Sequence, residues 1–263
     1  MNKNVIYTCL TGNYDGLKQP KYIYDGYDYI CFSNEFSESH IGIWEIRKIP
    51  FETNDKLRLS RFVKINPHLA LPEYEYSLWM DSNLQIVGDE LKDKLDELIQ
   101  KDTFMAFVPH PIYNCIYADA FKCIWDGRDS YSMIKKQVKY LKSQGYPFGN
   151  GLYENNLIFR KHNHCSSVTV SEAWWKMYMT YSKRDQLSLC YVLWANHINS
   201  VELLLPHGVS THNYEAIKRV KHNPNSLWKR IQGAVKRTYY RFLLCLFGLQ
   251  LNSWQKSATF PWN

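Results

Sequence analysis

The sequence YSLWMDSN, at residues 76–83, decides the fold because an apolar run ends abruptly in a carboxylate. Residues 76–81 have the composition of a buried β-strand, and Asp81 is followed two residues later by Asn83. Ligands of open α/β sheets bind beyond the carboxyl ends of the strands, so both side chains are predicted to project into a binding crevice. Oxygen ligands at this spacing suit one divalent cation, Mn²⁺ or Mg²⁺, which would neutralise a diphosphate. A strand-ending Asx turn explains the same pair of residues without any ligand.

Short apolar runs alternate with helical patterns on both sides of this stretch. The predicted strands are 4–10, 28–33, 43–49, 76–81, 104–108, 156–160 and 201–205. The predicted helices are 55–66, ended by Pro67, 89–101, capped by Asp89, 130–143, one from near Ser171, and one from Arg184 to about His197. This alternation predicts an α/β fold with a mixed, mainly parallel sheet flanked by helices.

The composition excludes several classes of protein. The chain has 263 residues, of which 45% are hydrophobic, so it is neither disordered nor collagenous. Its seven cysteines are scattered without a CxxC pair, which predicts reduced, mostly buried thiols in a cytoplasmic protein. The apolar run after Met1 is too short for a signal peptide or a membrane span, so neither is expected.

The net charge of +7 belongs to the C-terminal segment. Residues 216–263 contain nine Lys or Arg and no acidic residue, whereas residues 1–215 contain 23 basic and 25 acidic residues. The expected organisation is one α/β domain at 1–215 and a basic, amphipathic helical tail at 216–263. Such a tail is typical of a helix lying on an anionic membrane, here its inner face, although a helix packed on the body fits the pattern nearly as well. Nucleic acid is not expected as a partner, since the body has no basic face or nucleic-acid-binding motif.

Two further segments carry groups suited to a phosphate-bearing ligand. Arg61 and Lys64 lie one turn apart on the predicted helix before the 76–81 strand, where they either face one ligand or form an ordinary solvated surface. The sequence TGNYDG, at residues 11–16, follows the first strand, and Tyr14 there could stack on a base. GxGxxG and GxxxxGK[ST] sequences are both missing, which disfavours dinucleotide and P-loop chemistry.

These motifs occur in an order that resembles a known family. TGNYDG, RLSRFVKINPH, LWMDSN, VPHP, GLYENNLIFR and YSKRDQLSLCYVLW follow one another along the chain. The combination is similar to glycosyltransferase-like proteins long catalogued as a domain of unknown function, which include plant mucilage- and turgor-related members and bacterial relatives among surface-polysaccharide genes. That group resembles GT-A glycosyltransferases, which place a nucleotide-sugar on a Rossmann-like sheet and hold its diphosphate through a metal at an Asp-x-Asp motif. Asn83 departs from that motif because it supplies a neutral carbonyl.

The resemblance implies roles for residues along the chain. The metal ligands would be Asp81, Asn83 and a C-terminal histidine, His207 being preferred to His212. The donor-binding residues would be Thr11, Tyr14, Asp15, Arg61, Lys64, Asp81, Ser82 and Gln186. The candidates for orienting or deprotonating the acceptor would be Asp185, which opens a helix, Glu154 before a strand, and His110 between two prolines.

The expected function follows from this resemblance. The chain would move a sugar from a nucleotide-sugar donor, a UDP-sugar being favoured, to a glycan or lipid-linked acceptor in surface polysaccharide biosynthesis. The alternative is a non-catalytic carbohydrate- or lipid-binding protein that keeps the same fold. A hydrolase is not favoured, because the sequence has no GxSxG element.

Overall fold

The computed structural model describes residues 3–12, 16–220 and 227–246, without the side chains of 227, 229 and 246. The chain forms two compact units, each assembled from separate segments. Unit one comprises residues 1–109, 154–175 and 200–223, and unit two comprises residues 110–153, 176–199 and 224–263.

Unit one is built on an eight-stranded sheet. Its strands are β1 (Asn4–Cys9), β2 (Tyr27–Phe32), β3 (His40–Ile41), β4 (Trp44–Arg47), β5 (Tyr76–Met80), β7 (Met105–Pro109), β8 (Tyr153–Lys161) and β9 (Glu202–Leu203), and their order is β3-β4-β2-β1-β5-β8-β7-β9. β1 pairs in parallel with both β2 and β5, and β2 pairs in parallel with β4. β8 runs antiparallel to β5. A second, two-stranded sheet pairs β6 (Leu84–Ile86) with β10 (Ile217–Arg219).

The helices that begin in unit one are α1 (Lys56–Ile65), α2 (Pro67–Ala70), α3 (Glu90–Gln100) and α6 (Cys165–Thr180). One face of the sheet packs its apolar side chains against the buried leucines of α3, which are Leu91, Leu95 and Leu98. The opposite face carries Tyr7 and Trp79, whose rings meet edge to face with centroids 5.2 Å apart. Strand side chains alternate between the two faces, so Asp81, two residues after Trp79, belongs to the same face as that tryptophan.

The helices assigned to unit two are α4 (Ile116–Trp125), α5 (Tyr131–Ser143), α7 (Gln186–Ala195) and α8 (Leu227–Leu246). α4 lies in the middle of this group, where it contacts α5, α7 and α8. Eight of its ten residues are buried. The sequence predictions did not include α4.

The expected α/β class, with a mainly parallel sheet flanked by helices, is confirmed. Two predicted boundaries were wrong: α6 begins at Cys165 rather than near Ser171, and β8 begins at Tyr153 rather than at residue 156. Pro67 ends α1 as predicted, since its ring removes a backbone donor, and it opens the short helix α2.

All seven cysteines carry free thiols, and only Cys165 and Cys245 are exposed, which confirms the expectation of mostly buried thiols.

Within the described ranges, none of the helices combines the length and the apolar character needed to cross a bilayer.

Candidate active site at the ends of β1 and β5

The strand order of unit one creates a crevice position beside β1. The chain passes from β1 to β2 on one side, and α1 later carries it back across to β5 on the other side. This reversal is a topological switch point, where the loops beyond two neighbouring strands diverge and leave room for a ligand. Thr11 and Gly12 follow β1 at this edge, and Asp81 follows β5.

Asp81 is bound by two internal donors. The Lys64 ammonium lies 3.3 Å from Oδ1 of Asp81, and the Trp79 indole donates to the same oxygen at 2.8 Å. The Lys64 ammonium also lies 5.6 Å from the centroid of the Trp79 ring. Lys64 is only 1% exposed, whereas the side chain of Asp81 is 28% exposed. The carboxylate is therefore the only member of this pair that is well placed to meet a ligand.

A second buried cation anchors the end of the helix that carries Lys64. Arg160, on β8, is fully buried. Its guanidinium donates to the backbone carbonyls of Lys64 and Ile65 and, at 3.0 Å, to the Tyr7 hydroxyl. A cation at the carbonyl end of a helix interacts favourably with the helix dipole. Arg160 thereby fixes the backbone from which the Lys64 side chain reaches Asp81.

The loop after β1 is tied to the start of α1. Gly12 donates its backbone N–H to Glu35 at 3.0 Å, and the same carboxylate oxygen accepts from the Lys56 ammonium at 3.1 Å. The Thr11 hydroxyl donates to the Lys56 carbonyl at 3.1 Å. Gly12 has φ +71°, a conformation that is strained for any larger residue, and a Cβ there would lie 2.8 Å from the Lys56 side chain, which would have to shift. Tyr14 and Asp15, the other predicted donor residues of the loop, lie outside the described residues.

Arg61 lies at the same end of the sheet. Its side chain is half-buried, and its charge acts on Cys9, the last residue of β1. Burial raises the pKa of the Cys9 thiol well above its ordinary value, and the Arg61 charge opposes part of that rise. The two basic residues that the sequence placed one turn apart are thus both in unit one, with Arg61 near the end of β1 and Lys64 at the end of β5.

Glu154 belongs to the same edge of unit one. Met80 pairs with Leu157, and the Asp81 N–H donates to the Asn156 carbonyl at 2.8 Å, so the first residues of β8 lie opposite the 81–83 turn. Glu154 is buried and accepts from the Thr211 N–H at 3.1 Å and from its hydroxyl at 3.2 Å. The Asn156 amide donates to the Thr211 hydroxyl at 2.6 Å. Glu154 is consequently held by a polar network inside β8, and its predicted position before the strand is wrong.

The 81–83 turn is also braced from the other side. The Leu84 N–H donates to the Asp81 carbonyl at 2.9 Å and closes the turn, which contains the partly buried Ser82. Asn83 is buried, and its carbonyl accepts from the Val220 N–H at 2.8 Å. The turn therefore has a fixed conformation before any ligand binds.

The fit of a metal ion to these residues is partial. Asp81 and Asn83 offer the oxygen ligands that Mg²⁺ and Mn²⁺ prefer, but Oδ1 of Asp81 already accepts two hydrogen bonds. Across residues 3–12, 16–220 and 227–246, no group of three or more His, Cys, Asp or Glu side chains is arranged to hold a metal ion. His207 is exposed in the segment between β9 and β10, where His212 contacts the Arg219 guanidinium. The phosphates of a nucleotide would have to supply the remaining ligands of a cation.

The other three predicted residues belong to unit two. Asp185 is buried at the N-cap of α7, and Gln186 donates to the Tyr153 carbonyl at 2.7 Å. The segment before them is held by Asp129, which accepts from the Ser182 hydroxyl at 2.6 Å and from the Lys183 N–H at 2.7 Å.

His110 is engaged in its own loop. Its Nδ1 accepts from the Ile112 and Tyr113 N–H groups at 3.2 and 2.9 Å, and its ring stacks on Tyr113. Because Nδ1 accepts these bonds, the ring proton lies on Nε2.

Sequence reasoning missed several residues of the site, which are Glu35, Trp79, Asn156, Arg160 and Thr211. Trp79 had a usable signal, since it precedes Asp81 by two residues and so shares its face of the strand. The other four come from distant segments, and nothing local in the sequence connects them with Asp81.

Comparison with known proteins identifies a matching family. A family model described as TOD1/MUCI70, glycosyltransferase-like domain, matches residues 1–205. Over 215 residues the chain is 23% identical to the probable hexosyltransferase MUCI70 of Arabidopsis thaliana, and the alignment covers 72% of this chain and 36% of that protein. Over 182 residues it is 24% identical to the alkaline ceramidase TOD1 of the same plant, and the alignment covers 65% of this chain and 39% of that protein. The chain spans little more than a third of the length of these curated relatives.

Solved structures with detectable similarity include two glycosyltransferases in their apo forms. The bifunctional WbbM is 11% identical with a TM-score of 0.36, covering 63% of this chain and 32% of that one. Mouse xyloside xylosyltransferase 1 is 8% identical with a TM-score of 0.42, and the match covers 77% of this chain and 84% of that one. TM-scores below 0.5 do not establish a shared fold, so the architecture rests on the strand order given above.

Proposed function

The chain belongs to the TOD1/MUCI70 glycosyltransferase-like domain family, and on that premise we propose that it is a hexosyl- or related glycosyltransferase. It moves a sugar from a nucleotide-sugar donor, with UDP-sugars favoured, to a glycan or lipid-linked acceptor in surface polysaccharide biosynthesis. The observation that carries this proposal is the Asp81 carboxylate, held by buried Lys64 at the switch point between β1 and β5.

On the donor side, some residues contact the donor and one residue positions another. Arg61, half-buried beside the end of β1, contacts the phosphates of the donor, and Thr11 and Ser82 line the same edge. Lys64 acts as a positioning residue, because its buried ammonium holds Asp81 and is shielded from a ligand. A preorganised cation such as Arg61 stabilises the negative charge that develops on the leaving diphosphate, and stabilisation of this kind is usually the largest contribution to such a reaction.

Asp81 and Asn83 are the residues that would hold a divalent cation, Mn²⁺ or Mg²⁺. Such a cation supplies neutralisation of the departing diphosphate when it is bound. The hydrogen bonds of the 81–83 turn to β8 and to Val220 keep this turn in one conformation.

On the acceptor side, Glu154, Asp185 or His110 is proposed to orient or deprotonate the acceptor hydroxyl. Glu154 has its carboxylate fixed by Thr211, and Asp185 lies at the N-cap of α7, where the helix dipole stabilises a negative charge. His110 would act through Nε2, since its Nδ1 accepts two backbone hydrogen bonds.

The decisive experiment combines a donor panel with one substitution. Purified full-length chain is incubated with UDP- and GDP-sugars in Mn²⁺, in Mg²⁺ and in EDTA, and release of the nucleoside diphosphate is measured. Asp81→Asn keeps an oxygen that can accept from Lys64 and Trp79 but removes the charge, so we expect the fold to persist and turnover to fall about 100-fold. The matched control is Asp126→Asn, an aspartate of similar exposure paired with Lys122, which should retain wild-type turnover.

The outcomes separate the candidate functions. Wild-type rates in Asp81→Asn would remove Asp81 from the site. The absence of both binding and turnover for every donor, with a folded protein, would overturn the proposal. Binding of a sugar or lipid without turnover would favour the non-catalytic carbohydrate- or lipid-binding alternative. Ceramide hydrolysis, tested in parallel because one relative is called an alkaline ceramidase, would assign a different reaction.

A further inference from the structure

Helix α8 is attached to unit two along one face. The Arg241 guanidinium lies over the Trp125 ring of α4 at 4.6 Å from the centroid, and Leu244 is buried. The Tyr240 ring meets Tyr131 of α5 at 6.4 Å. This face of the basic helix therefore packs on α4 and α5.

A second, apolar face of α8 remains exposed. Five large apolar side chains recur at intervals of three or four residues, which puts them in one stripe along the helix. They are between 45% and 67% exposed, and they are Trp228, Ile231, Val235, Tyr239 and Phe242. We name these five residues the α8 stripe. At 3.6 residues per turn, the α8 stripe lies on the side of the helix opposite to Tyr240 and Leu244.

Charge selects the partner of the α8 stripe. The charged residues of α8 are all basic, among them Arg230, Lys236 and Arg241, and residues 216–263 include no Asp or Glu at all. At 3.6 residues per turn these basic residues belong to the side of α8 away from the stripe, so the helix is apolar on one side and basic on the other. A second copy of α8 packed on the stripe would bring together two helices of net positive charge, which is unfavourable. An anionic bilayer matches both features, because it accepts apolar and aromatic side chains and attracts a helix whose polar side is basic.

We propose that the α8 stripe docks the protein on the surface of an anionic lipid bilayer while the opposite face of α8 stays packed in unit two. Trp228, Tyr239 and Phe242 enter the interface, and the net positive charge of α8 attracts the anionic headgroups. This proposal is independent of the proposed glycosyl transfer, because none of the residues involved belongs to the candidate active site.

The test is co-sedimentation of the full-length chain with phosphatidylcholine vesicles, with and without phosphatidylglycerol. Each basic residue near an anionic surface contributes about fivefold in affinity, so the wild type should bind the anionic vesicles at least about tenfold more tightly. The variants Val235→Glu and Ala234→Glu carry the same charge at adjacent exposed positions, but only Val235 lies in the α8 stripe. We expect Val235→Glu to bind about tenfold more weakly than Ala234→Glu.

Other results would overturn the proposal. These are equal binding to both kinds of vesicle, equal loss of binding in the two variants, or a concentration-dependent dimer in solution that only Val235→Glu dissociates. Circular dichroism of both variants establishes that α8 and unit two stay folded, and unchanged nucleotide-sugar turnover in solution separates this result from any failure of the proposed function.

Discussion

At the scale of single residues, Lys64 and Asp81 form an asymmetric ion pair. The ammonium is buried, while the carboxylate retains access to solvent. A buried charge without its counter-ion is strongly destabilising, whereas a partly hydrated charge loses less when its partner is removed. The two members of the pair should therefore contribute unequally to stability.

This asymmetry predicts the result of a double-mutant cycle. Asp81→Ala should lower the free energy of unfolding by about 3–5 kcal/mol, because it strands the Lys64 ammonium. Lys64→Met should lower it less, since water still reaches Asp81. The double variant should be more stable than the sum of the two losses implies, by at least about 1 kcal/mol in urea unfolding. Strictly additive losses would show that the two charges are not coupled.

At the scale of elements, α1 is fixed at both ends and crosses the sheet between them. At its N-terminus, Asp55 accepts from the Leu57 and Arg58 N–H groups at 3.1 and 3.4 Å. At its C-terminus, Arg160 binds the last carbonyls. Lys64 lies in the last turn, so the position of α1 decides whether the ammonium reaches Asp81.

Removing the N-terminal cap tests this element. Asp55→Ala should lower the free energy of unfolding by about 1 kcal/mol and speed hydrogen exchange at the amides of Leu57 and Arg58. Asp89→Ala is the matched control: within the described structure, Asp89 occupies the N-cap of α3 but its side chain makes no capping hydrogen bond. Equal losses in the two variants would show that the cap of α1 contributes nothing specific.

At the scale of the whole molecule, burial of ionisable groups makes stability depend on pH. Burial, assisted by the nearby Arg160 guanidinium, lowers the pKa of His162 to about 3 from an ordinary value of 6.5. The ring is neutral in the folded protein and donates from Nδ1 to the Leu71 carbonyl at 3.1 Å. The unfolded chain therefore binds a proton at His162 near pH 6.5, whereas the folded chain does not.

The sign of the pH effect follows from this difference. The stability that neutral His162 contributes is complete above pH 6.5 and is lost, by about 1.4 kcal/mol per pH unit, as the pH falls from 6.5 toward 3. His162→Asn keeps a donor for Leu71 without a titrating ring, so its unfolding free energy should fall less steeply between pH 6.5 and 4.5. The same substitution at the exposed His40 is the control, and indistinguishable slopes for wild type and His162→Asn would refute the assignment.

The sequence alone determined the α/β class, most strands and helices, the end of β5 at Asp81 and the amphipathic character of the basic helix. These features depend on local patterns, namely apolar runs, 3.6-residue spacing and the stop at Pro67. Only the tertiary structure decided which distant side chains meet. Lys64 reaches Asp81 because α1 crosses β1, Glu154 meets Thr211 because β8 inserts antiparallel beside β5, and the stripe of α8 is exposed because its opposite face packs on α4. Strand order and helix packing arise from contacts between residues far apart in the chain, which no local pattern encodes.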